Sequence, residues 1–67
     1  MVNTLTLKDY RDLEVNRIYY FDNLKLVFDG KNLLSKYPME RYWHPFYEDE
    51  WFEKWKDREL TKTDKFY

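Results

Sequence analysis

The stretch Arg17-Ile18-Tyr19-Tyr20-Phe21-Asp22-Asn23-Leu24-Lys25-Leu26-Val27-Phe28 decides the fold. Its two halves are rich in β-branched and aromatic side chains, which suit a pleated, half-buried surface, and Asp22-Asn23 between them suits a two-residue hairpin loop. Such a loop fixes the register. Phe21 then opposes Leu24, Tyr19 opposes Leu26 and Arg17 opposes Phe28, so one face is almost wholly apolar and is the core face. The other face carries Ile18, Tyr20, Lys25 and Val27, which is too apolar to stand bare and calls for partial cover or a partner.

On the C-terminal side of the hairpin, Asp29-Gly30 is a turn signal, with the chain's single Gly where positive φ is expected. Asn32-Leu33-Leu34 is the candidate for a short third strand. On the N-terminal side, Thr6-Leu7-Lys8-Asp9 has the form of a helix N-cap with a carboxylate three residues on, and Leu5 and Tyr10 stand where a hydrophobic staple would. This predicts a short helix from Leu7 to about Leu13, against the competing reading of Thr4-Leu5-Thr6-Leu7 as an alternating strand.

Beyond residue 36 the chain changes character. Tyr37-Pro38 and His44-Pro45 bracket Met39-Glu40-Arg41-Tyr42-Trp43, which has room for one helical turn, because proline disfavours helix in the residue before it. Glu48-Asp49-Glu50 then precede Trp51-Phe52-Glu53-Lys54-Trp55, with acids early and bases late, as the helix dipole favours, and with Glu50 and Lys54 spaced as an i,i+4 pair. A helix from about Glu48 to Leu60 is expected, its apolar stripe Trp51, Phe52 and Trp55 covering the hairpin. The polar tail from Thr61 to Tyr67 is expected to fray, with Phe66 and Tyr67 available to dock.

The composition bounds the rest. The chain has 67 residues, no Cys and one His, with a formal charge of −1. That length makes one domain, and roughly 60% burial is all that a chain of this size achieves. Without Cys there is no disulfide framework or thiolate metal site, which favours a reducing, cytoplasmic compartment. A mean hydropathy of −0.98 suggests disorder, yet 22% of the residues are aromatic, and disordered chains are poor in aromatics. No apolar run approaches a membrane span, and the N-terminus lacks a basic region followed by an apolar stretch.

Catalytic groups are few. One Ser and one His allow a Ser35/His44/acid triad to be written down, but no motif positions it, and paired carboxylates need a cleft that so short a chain rarely builds. His44 and Glu48 have metal-ligand spacing on a helix, but Pro45 between them places the helix start after His44. No Gly-rich loop is available to cradle phosphate. The reading is therefore non-enzymatic, with no cofactor and no metal site. Direct nucleic-acid binding through Tyr19, Tyr20, Tyr42 and Trp43 meets an electrostatic objection, since no basic cluster lies near those aromatics. A membrane-surface helix at Trp51 to Arg58 meets a similar one, since its acids repel anionic headgroups.

A protein-binding surface is what remains. Residues 37–55 hold eight aromatics beside the densest acidic run, and Trp and Tyr are enriched at binding hot spots. Trp51, Phe52 and Trp55 are assigned to the core. Tyr42, Trp43, Phe46, Tyr47, Glu48, Asp49 and Glu50 are the candidate partner-binding residues, the acids serving to engage a basic, for example nucleic-acid-binding, surface of a partner.

The segments Leu7-Lys8-Asp9-Tyr10-Arg11-Asp12-Leu13, Arg17 to Asn23 and Leu24 to Lys31 resemble small early and accessory proteins of phages infecting low-GC Gram-positive bacteria. Such proteins run as a short helix, a strand, an Asp/Asn turn and a second strand ending near Gly. The resemblance spans residues 7–31 and carries over no functional residue. It implies a phage-encoded inhibitor that acts in the host cytoplasm by binding and blocking a host protein.

Together these readings predict a single α+β domain over residues 1–67, with 1–6 and 61–67 flexible. It comprises a short N-terminal helix, an antiparallel β-hairpin with a candidate third strand, an aromatic loop and an amphipathic helix packed on the hairpin. The leading expectation is a protein-binding module. The alternatives are a single-stranded nucleic-acid binder and a self-assembling, homo-oligomeric structural subunit.

Overall fold

The computed structural model describes residues 5–67. The protein is an α+β domain in which a 3-10 helix (Leu7–Asp12) and α1 (Glu48–Trp55) lie on one face of an antiparallel sheet. The strands are β1 (Arg17–Phe21), β2 (Leu24–Phe28), β3 (Leu33–Lys36), β4 (His44–Pro45) and β5 (Thr61–Phe66), in spatial order β4-β3-β2-β1-β5. The hairpin forms in the register its sequence dictates, Phe21 opposite Leu24 and Tyr19 opposite Leu26. Of its two loop residues only Asp22 takes positive φ, at 51°. Asp29 closes the next turn by accepting the backbone N–H groups of Lys31 and Asn32 at 2.8 and 2.6 Å, with Gly30 at φ 97°.

The core sits between this sheet face and the helices. Tyr19, Phe21, Leu24, Leu26, Phe28 and Leu33 meet Leu7, Tyr10, Leu13, Trp51 and Leu60, all buried. Trp51 is the largest fully buried side chain. Its ring meets Tyr10 edge-on at 5.7 Å and stacks on Phe46, and its Nε1–H donates to the Phe46 carbonyl at 3.3 Å. The buried Tyr19 hydroxyl accepts the Glu14 N–H at 3.1 Å. Both partners that a buried indole and phenol require are thus supplied from the backbone.

Several expectations are corrected. The helix stops at Trp55 instead of Leu60, because the following backbone has other partners: the Lys56 and Arg58 carbonyls accept the N–H groups of Lys8 and Leu7, and Glu59 bridges Thr6. Thr61–Phe66, expected to fray, is instead the edge strand β5. Arg17 fastens it from β1, donating to the Thr63 carbonyl at 3.0 Å and lying 4.3 Å from the Phe66 ring centroid. Thr6 does not cap the 3-10 helix; its hydroxyl donates to the Asp9 carboxylate at 3.0 Å, leaving no side chain on a helical N–H. Met39–Trp43 forms a turn and bend with no helix, and the Glu50–Lys54 pair is not closed. Of the expected flexible N-terminus, residues 1–4 lie outside the described residues, while the Leu5 carbonyl accepts the Leu60 N–H.

The sheet face turned away from the helices has its own cover. Val27 points there, is fully buried and stands outside the main core cluster. The segment after β3 folds back toward it: Pro38 lines a groove with Ile18, Tyr20 and Lys25, and the Trp43 ring packs edge-on against Tyr67, centroids 5.4 Å apart. The apolar second face of the hairpin is thereby half sheltered by the protein itself.

Candidate functional site

The seven sequence-derived candidates separate into two groups. Phe46 belongs to the core, stacked on Trp51 at 5.7 Å and on Trp55 at 5.8 Å, with its N–H donated to the Leu33 carbonyl. Trp43 is half-buried against Tyr67. Tyr42 and Tyr47, by contrast, are 73% and 60% exposed. Glu48, Asp49 and Glu50 form the first turn of α1, all exposed, and none of the three carboxylates has an ion-pair or hydrogen-bond partner among the described residues. Tyr47 occupies the N-cap position in extended conformation, which sets its ring directly before the acids along the chain.

This arrangement follows from local chemistry. Pro45 ends β4, Phe46 dives into the core, and the chain must emerge again at Tyr47 before the helix can begin with carboxylates near its N-terminal dipole. The anchor and the exposed residues therefore alternate within one short segment, and the core contact of Phe46 holds the exposed ones in place.

His44 and Ser35 are register partners across β3 and β4, and His44 Nε2 lies 3.1 Å from Glu40 Oε2. A nucleophile, an imidazole and an acid thus adjoin, but not in a relay. A hydrolytic triad uses the two ring nitrogens for the two partners; here Nε2 is directed at Glu40, no hydrogen bond joins His44 to Ser35 among the described residues, and Ser35 is buried at 8% exposure. The other Glu40 oxygen accepts the Tyr37 N–H at 2.8 Å, so Glu40 ties the Tyr37–Glu40 turn to β4. Its role is to hold the loop that carries Tyr42 and Trp43. Among the described residues no cluster of His, Cys, Asp and Glu is arranged to hold a metal ion, and His44 pairs with Glu40 instead of Glu48.

Sequence reasoning did not find the groove on the second sheet face, of about 440 Å³, lined by Ile18, Tyr20, Lys25, Pro38, Thr63 and Lys65 among others. The apolar character of Ile18, Val27 and Tyr20 was the available signal; the walls come from β5 and from Pro38, neither of which periodicity could place. Tyr19, grouped with Tyr20 as a stacking candidate, is in the core.

Comparison with protein-family models, curated proteins and solved structures finds no match to this chain. No helix among the described residues is long and apolar enough to cross a membrane.

Proposed function

We propose that the protein is a non-enzymatic protein-binding module that engages a basic surface of its partner through Tyr42, Tyr47, Glu48, Asp49 and Glu50. The observation that carries this reading is the coexistence of two largely exposed tyrosines and three unpaired carboxylates on a segment anchored by Phe46. Exposed tyrosines offer contact area at small entropic cost, and unpaired acids steer a basic partner into register. The Glu40–His44 contact and the absence of a Ser35–His44 hydrogen bond support the non-enzymatic part. The resemblance of residues 7–31 to small phage proteins supports a cytoplasmic host protein as the partner and inhibition as the outcome.

The test is affinity capture from a bacterial lysate in parallel with two variants, Y42A/Y47A and E48Q/D49N/E50Q. A partner retained by the wild type and lost or weakened at least tenfold by both variants supports the reading, and rising salt should release it. Capture that is indifferent to both sets of substitutions overturns it.

A further inference from the structure

The register of the sheet places charge where the linear sequence does not. On the face turned away from the helices, Lys36 of β3 is opposite Lys25 of β2, Lys25 is opposite Tyr20 of β1, and Tyr20 is opposite Thr61 of β5. Two like charges directly opposed across an antiparallel pair destabilise it, and neither Lys25 nor Lys36 has an acidic partner among the described residues. Lys65 adds a third cation from the far wall of the groove. Two carboxylates also border it: Asp22, which is ion-paired with Arg58, and Asp64 beside Lys65. Tyr20 itself is 40% exposed between Lys25 and the β5 wall, with Ile18 and Pro38 as apolar neighbours.

We propose that this groove binds single-stranded nucleic acid, with a base stacked on Tyr20 and the adjoining phosphates drawn to Lys25, Lys36 and Lys65. Sequence-tolerant single-strand binding combines a basic track with an aromatic ring presented on a surface, and an aromatic on an open sheet face is a common platform for it. The objection raised by the linear sequence, that no basic cluster adjoins the aromatics, is removed by strand pairing. A free nucleotide is a poorer occupant, because the three cations stand on three different strands, Lys25 and Lys65 lining the groove and Lys36 beside Lys25, and are not gathered at one point. The site is separate from Tyr47 and the acidic turn of α1, so it does not rest on the protein-binding proposal.

Fluorescence anisotropy with a labelled oligo-dT of ~10 nucleotides, about the span of one small single-strand module, tests this directly. Three neutralised phosphates at about 0.7 each predict a slope of log affinity against log salt of about −2. K25Q/K36Q should reduce that slope to about −0.7, and Y20L should weaken binding roughly tenfold at unchanged slope. On the wild-type protein, oligonucleotide titration followed by NMR should shift Ile18, Tyr20 and Thr63 and leave Tyr47 and Glu50 in place, a readout independent of how the variants fold. The proposal is overturned by absence of binding at low salt, by a slope that survives K25Q/K36Q, by Y20L binding like wild type, or by shifts that centre on Tyr42 and Tyr47. Tight binding of dTMP alone, equal to that of the oligomer, overturns it equally.

Discussion

Trp43 and Tyr67 meet edge-to-face at 5.4 Å although they flank β4 and β5, the two opposite edges of the sheet. Four strand spacings, ~19 Å, separate those edges. The two rings therefore close a bridge across the face that the helices leave uncovered, and they do so from the two segments of the chain with the least regular hydrophobic pattern.

The bridge predicts coupling between distant positions. A double-mutant cycle of Trp43→Ala and Tyr67→Ala, measured by urea unfolding, should return an interaction of about 1 kcal/mol. Strict additivity of the two single variants would show that the contact contributes nothing.

Trp51 should be the most sensitive position in the core. Trp51→Ala removes a fully buried indole and its ring contacts to Tyr10, Phe46 and Phe52, at a cost of about 3–5 kcal/mol. For a domain this small that is comparable to its whole stability, so far-UV circular dichroism should show an unfolded chain at room temperature. Trp51→Phe, which keeps an aromatic ring in the core and loses the donor to Phe46 with part of the buried volume, should cost less and remain folded.

Arg17 holds β5 by two contacts, to the Thr63 carbonyl and to the Phe66 ring, and is itself fixed by its ion pair with Glu14. Arg17→Gln should raise amide exchange across residues 61–66 at least tenfold while leaving the β1–β2 hairpin protected. Uniform acceleration of both would show that β5 does not open independently.

Two carboxylates make the protein less stable in acid. The Arg17 guanidinium holds the Glu14 carboxyl below its ordinary value, and the backbone N–H groups of Asn32 and Lys31 hold Asp29 below its ordinary 3.8. Because both are depressed in the folded state, their stabilisation is fully present above the unfolded values and is lost as pH falls through the folded ones. An NMR titration should place the Asp29 midpoint below 3.8, and Asp29→Ala should flatten the acid limb of the stability profile.

The Lys25–Lys36 opposition predicts a trade between stability and binding. Lys36→Glu replaces a like-charge pair by an opposite one and should raise the unfolding free energy by a few tenths of a kcal/mol, while abolishing most of the salt-dependent affinity for oligo-dT. A variant that loses both would point to a packing role for the Lys36 stem.

The hairpin was legible because both halves of Arg17 to Phe28 are rich in β-branched and aromatic residues, and a single loop length then fixes all the pairs. The exposure of Glu48, Asp49 and Glu50 was legible too, since three successive acids offer no apolar face for burial. β5 was not, because Thr-Lys-Thr-Asp-Lys-Phe carries no alternation: an edge strand of this kind is held by backbone pairing and by Arg17, and its side chains stay largely in water. The end of α1 was hidden for a related reason. Lys56 to Leu60 continue a helical pattern of charge, and it is the backbone of residues 5–8, distant in sequence, that draws them away. The lysine row required the same kind of information, since Lys25 and Lys36 become neighbours only when β3 is in register with β2.

The strand order carries a consequence for how the chain is made. β1 is paired on one side by β2, which follows it directly, and on the other by β5, which lies some forty residues further along the chain. While residues 29–60 are being translated, β1 offers an unsatisfied edge to any neighbouring nascent chain, an edge of the kind that seeds intermolecular pairing. Pairing of β1 on both sides thus waits for residues 61–66, and cleavage after Leu60 would strip β1 of that cover and expose the same edge.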